Sequence, residues 1–126
     1  MGAAQAAARH VADAERLGEL LARDGWVVLT GGRPYGVMEA ASRGAKRVAG
    51  SLTIGVLPTA DEDPSPFVDV AIRTDMGHGR NNVNVLSSDV VIACGIEGPG
   101  TTSEVALALK NGRPVILLAP GDAARR

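Results

Sequence analysis

Short apolar runs that lack polar alternation, separated by stretches of helical spacing, constrain this chain more than any other feature. Residues Trp26 to Thr30, Leu52 to Leu57, Asp89 to Cys94 and Pro114 to Leu118 are such runs, and Val68 to Ile72 is a weaker one suited to a sheet edge. Strands without polar alternation are buried on both faces, which is the habit of parallel sheets. The spacing of Ala3, Ala7, Val11, Ala14, Leu17 and Leu21 predicts a helix, with Gly25 placed for a left-handed cap at its end. Val37, Met38, Ala41, Ala45 and Val48 form a second stripe. Gly77 to Ser88 is a third helix of poorer pattern, and Thr101 to Asn111 a fourth, stopped by Gly112. Thr59 to Pro66, with Asp61, Glu62, Asp63 and two prolines, is an exposed loop, and Gly121 to Arg126 a frayed tail.

Strands alternating with helices predict a Rossmann-like, doubly wound α/β domain with a parallel sheet, formed by residues 1–126 as one unit. No internal repeat is visible. Such a unit ordinarily opens on a strand, and this chain opens on a helix. Either the sheet lacks its usual first strand, or the chain is a shortened product of a longer reading frame. The first strand is central in the usual order. The strands around residues 26–30 and 90–94 would then close the gap, or a partner chain would fill it.

Charge and composition narrow the function. A formal net charge of −1 disfavours a nucleic-acid binder, and the three aromatic residues, Trp26, Tyr35 and Phe67, cannot make a base-stacking platform. Cys94 is the only cysteine, which excludes an intramolecular disulfide and suits a reducing cytoplasm. No apolar stretch is long enough to span a bilayer, and the alanine-rich start lacks the basic residues of a signal peptide.

In open parallel sheets a ligand sits beyond the carboxyl ends of the strands. The segment from Gly95 to Glu104 follows a buried strand and opens a helix, where free N–H groups and the helix dipole attract an anion. Gly98 and Gly100 allow close approach of the backbone, and Thr101 and Thr102 add hydroxyl donors. Thr101 stands where a P-loop has its lysine, so triphosphate hydrolysis is disfavoured. Thr101-x-x-Glu104 has the form of a capping box. Alternatively, the Glu104 carboxylate polarises a water or hydroxyl beside a bound ribose.

Gly31 and Gly32 make a second glycine turn after a strand. It does not match the dinucleotide fingerprint, and no acidic residue ends the next strand, so NAD is not expected. Arg33 has two readings, a phosphate contact or a solvated side chain. Met76 to Asn82 places Arg80 and Asn81 at a helix start facing the same crevice. His10 and His78 have no partners at metal-ligand spacing, so no structural metal is expected. Cys94 reads as core rather than nucleophile.

Taken in order, Leu29-Thr-Gly-Gly-x-x-x-Gly-Val-Met38, Met76-Gly-x-x-Arg-Asn81 and Gly-Pro-Gly-Thr-x-Ser-Glu104 resemble the molybdenum cofactor carrier proteins. These belong to the larger group containing the Lonely Guy (LOG) phosphoribohydrolases, once misannotated as lysine decarboxylases. The resemblance runs from the first helix to Leu118. It implies a homo-oligomer, a dimer or tetramer, that binds the phosphate-bearing pterin of molybdenum cofactor, or a nucleotide, without transforming it. Gly31, Gly32, Met38, Arg80, Asn81, Gly98, Gly100, Thr101 and Thr102 would line that site. In the LOG enzymes an arginine and the glutamate of P-G-G-x-G-T-x-x-E serve hydrolysis of a nucleoside 5′-monophosphate to free base and ribose 5-phosphate. Arg80 and Glu104 match those residues, which gives the alternative reading, an enzyme. Asn81 stands where the LOG enzymes have lysine, as in the carriers, and Gly95 to Gly98 replaces the P-G-G element with a loop one residue longer.

Overall fold

Helix α1 (Ala8–Arg23) buries a row of small residues, Ala14, Gly18 and Ala22, together with His10, toward the molecule. The expected branched residues Val11, Leu17 and Leu21 flank that row and are only partly buried. The reason lies in α2 (Gly36–Ala45), which crosses so close that only glycine fits at two points. A Cβ on Gly18 would collide with the carbonyl oxygen of Ala41, and one on Gly44 with the carbonyl oxygen of Glu15. On the solvent side Glu15 ties the helices together, accepting from Arg43 at 2.6 Å and from Arg47 at 3.0 Å. Helix α1 ends as its sequence predicts. Gly25 has φ +84°, Gly25 N–H donates to Ala22 at 3.1 Å and Trp26 N–H to Leu21 at 3.0 Å.

These features come from a computed structural model that describes residues 8–94 and 98–118, with the backbone alone at 98–102 and 118. Ala3, Ala7 and the tail from Gly121 lie outside the described residues.

Every strand pair is parallel. Strands β1 (Val28–Thr30), β2 (Thr53–Leu57) and β3 (Val70–Arg73) form one sheet in that order, with Val28 opposite Thr53 and Ile54 opposite Val70. Strands β4 (Val91–Cys94) and β5 (Val115–Leu118) form another, with Val91 opposite Val115. Strand β3 is the outer strand of its sheet and begins at Val70, two residues after the start of its apolar run. Before it, Asp69 N–H bonds Thr53 and the Asp69 carboxylate accepts from Thr53 N–H at 3.0 Å and Lys46 at 2.8 Å.

Between β2 and β4 the chain passes through a single turn of 3-10 helix (Gly77–Gly79) into α3 (Arg80–Ser87), and α4 (Gly98–Lys110) joins β4 to β5. Strand β4 is covered on both faces. Cys94 packs with Ala14, Val37 and Ala40 of α1 and α2. Val91, three residues earlier and so on the other face, packs with Val85 and Ala108 of α3 and α4. That is the doubly wound arrangement the strand pattern predicts.

Of the two ways to fill the place of a first strand, direct pairing of β1 with β4 is not the one seen. Among the described residues β1 and β4 are not paired, and a cavity of about 370 Å³ lies between them, lined by Leu17, Leu21, Val28, Met38 and Val91. Helix α1 lies against both strands and so holds them apart across that space. Among the described residues strand β4 thus has one ladder partner, β5.

Candidate anion-binding site

The carboxyl ends of parallel strands share one edge, and there β1 runs into Gly31 and Gly32. Gly32 has φ +76°, its N–H donates to Thr30 Oγ1 at 3.0 Å, and its carbonyl accepts from Ser65 N–H at 2.8 Å. The turn is thereby fixed by its own strand and by the loop after β2. Gly31 serves a different purpose. A Cβ there would lie 2.6 Å from Met38 Sδ and 3.0 and 3.2 Å from the two terminal nitrogens of Arg80. The Arg80 guanidinium therefore rests on bare backbone.

Arg80 opens α3, so the turn at Gly77–Gly79 delivers its side chain to the end of β1. Among the described residues Nη1 makes a long contact with Asn81 Oδ1, at 3.4 Å, and the buried Nε finds no hydrogen-bond partner. Among the described residues no carboxylate lies within ion-pair distance of it. Burial lowers the Arg80 pKa from its usual value, the Glu104 charge opposes that, Arg33 reinforces it and Glu62 opposes it. Glu104 of α4 is itself buried, 7% exposed, and burial raises its carboxyl pKa while Arg80 pulls it down. Asn84, one turn after Arg80, is wholly buried beside Glu104, and its side-chain amide also pulls the Glu104 pKa down. A half-buried cation without a partner is expensive. The arrangement is chemically suited to receive an anion.

The sequence expectations meet this geometry unevenly. Gly31, Gly32, Met38, Arg80 and Asn81 do converge, and Glu104 stands within electrostatic reach. Helix α4 begins at Gly98 rather than near Thr101. Thr101 is then inside the first turn and does not stand at the N-cap position that a Thr101-x-x-Glu104 capping box requires, and Pro99 suits a first turn. The correction adds backbone donors, since the N–H groups of Gly98 and Gly100 belong to the turn that has no intrahelical acceptors. The side chains of Thr101 and Thr102, and residues 95–97, lie outside the described residues. Cys94 is buried, with its thiol pKa pushed up by burial, as a core residue.

Residues outside the predicted set also belong here. Arg33 is paired with Glu62 at 2.7 Å and its guanidinium carbon sits 5.2 Å from the centre of the Tyr35 ring. Asn84 had a findable signal, because its i+4 spacing from Arg80 puts the two on one helix face. Glu62 had none, since it came only as one of several acids in a loop.

The fold defines an α/β protein of Rossmann-like architecture, with the candidate site at the carboxyl ends of its strands. The family model of the SLOG cluster4 family matches residues 1–125, and the chain belongs to that family. Among solved structures, the molybdenum cofactor binding protein of Rippkaea orientalis is 59% identical, with a TM-score of 0.92 over 98% of this chain and 76% of that one. The molybdenum cofactor carrier protein of Chlamydomonas reinhardtii is 48% identical, with a TM-score of 0.90 over the same shares. An uncharacterised protein of Archaeoglobus fulgidus is 48% identical over 107 residues, 85% of this chain and 69% of that one.

Proposed function

We propose that the protein is a carrier that binds molybdenum cofactor by its phosphate, at the edge formed by Gly31, Gly32, Met38, Arg80, Asn81 and the first turn of α4. The observation that carries the reading is Arg80, seated on Gly31 with no carboxylate partner among the described residues. Gly98 and Gly100 would add backbone donors, and Thr101 and Thr102 their hydroxyls. The likeness to two proteins that bind or carry this cofactor supports the cargo. The residues present fit a phosphate, because they combine an arginine, a helix N-terminus and a glycine floor. The free, buried Cys94 accords with a reducing cytoplasm, and exposed Val70 and Ile72 on β3 with burial between copies in a homo-oligomer.

Molybdenum cofactor released from a molybdoenzyme should co-elute with the purified protein in gel filtration, followed by metal analysis and pterin fluorescence. Arg80→Ala removes a charged hydrogen-bond donor worth about 1.5–3 kcal/mol, so retention should weaken by roughly 10- to 100-fold. A parent protein that elutes without cofactor would overturn the reading. The raised Glu104 carboxyl beside Arg80 is the one observation that favours a phosphoribohydrolase. Free base released from AMP by the parent, and abolished in Glu104→Gln, would establish that activity instead.

A further inference from the structure

Two guanidinium groups near one another repel unless an anion is shared between them. Arg33 follows the Gly31-Gly32 turn directly, on the edge where Arg80 rests, and the two cations are close enough that Arg33 disfavours the Arg80 charge. Glu62, from the loop after β2, favours it. Glu62 is bound to Arg33 instead: Arg33 Nε donates to Glu62 Oε1 at 2.7 Å, while Glu62 Oε2 accepts from Thr59 Oγ1 at a long 3.4 Å. The Arg33 side chain is 37% exposed and that of Glu62 21%, so solvent weakens their pairing. The Tyr35 ring lies 5.2 Å from the guanidinium carbon, within cation–π reach.

We propose that Arg33 is a second phosphate-binding cation, held off the ligand by Glu62, and that an incoming phosphomonoester dianion takes the place of Glu62 on Arg33. The proposal rests on the phosphate site described above and adds its specificity. A partly exposed pair made through one guanidinium nitrogen and one carboxylate oxygen is a weak latch, whereas a phosphate offers a guanidinium two oxygens at once. Arg80 from α3 and Arg33 from the β1 turn would then hold one dianion between them. The Glu62 carboxylate, once displaced, turns toward solvent with Thr59.

Molybdenum cofactor titrated into the full chain, with inorganic phosphate as competitor, tests both layers. Glu62→Gln should tighten cofactor binding by about 5-fold, because it removes the competing anion. Arg33→Ala should weaken it by roughly 10- to 100-fold, and the double variant should match Arg33→Ala alone. Arg33→Lys should recover part of the loss. If Glu62 only braces the loop, Glu62→Gln will weaken binding or leave it unchanged, and the latch is overturned while the Arg80 site stands. Unaltered binding in Arg80→Ala removes the site itself. No binding by either the parent or Glu62→Gln removes site and latch together.

Discussion

At the scale of single residues, the site turns on the absence of a side chain. Gly31 is placed so that any Cβ would press on Met38 Sδ and on the Arg80 guanidinium. Met38 Sδ is the far part of a flexible side chain and can yield. The guanidinium must also lift from the backbone. Gly31→Ala should therefore leave the melting temperature within a few degrees, costing about 1 kcal/mol, while cofactor retention falls at least as far as in Arg80→Ala. Parallel melting and retention measurements on the two variants check this. A variant that melts early with its binding intact would show that Gly31 serves the fold rather than the ligand.

At the scale of elements, the pairing of α1 with α2 carries much of the architecture, since α1 spans β1 and β4 and α2 presents Met38 to the site. Their backbones approach at Gly18 and Gly44, where rigid carbonyl groups rather than flexible side chains stand in the way of a Cβ. Gly18→Ala or Gly44→Ala must push the helices apart, at a cost of about 1–3 kcal/mol or more. Chemical denaturation should show that loss in both variants. The effect should exceed the small gain that alanine brings to an isolated helix, so a stabilised Gly18→Ala would contradict the packing. The polar seam of Glu15 with Arg43 and Arg47 lies at the surface and adds little beside it.

At the scale of the whole molecule, stability should depend on pH through opposing carboxylates. The hydrogen bond from Arg43 holds Glu15 below its usual pKa, and those from Lys46 and Thr53 do the same for Asp69. Their contributions are present above the unfolded values and are lost as pH falls through the folded ones. Glu104 works in the other sense, because burial raises it. Its contribution is fully present below the unfolded glutamate value and is lost as pH rises through the folded one. Glu104→Gln should thus melt higher than the parent at neutral pH, with the difference closing as pH drops below the ordinary glutamate range. Thermal melts of both proteins across pH 3 to 8 would show this crossover, about where an unperturbed glutamate titrates.

The order of strands and helices, their parallel character and the glycine that ends α1 are all legible in the sequence, because unalternating apolar runs and capping residues act locally. So is the placing of Gly31 and Gly32 just after a strand and of Arg80 at a helix start, since these too are local features. Tertiary structure decided what depends on contact between distant segments. It placed the buried row of α1 on Gly18 rather than Leu17, because α2 comes too close for a branched side chain. It started α4 at Gly98 and so took Thr101 away from the N-cap position that spacing alone allowed. It left β1 and β4 unpaired among the described residues, with α1 lying against both strands. It also brought Glu62 across 29 residues to Arg33, an encounter that no local pattern encodes.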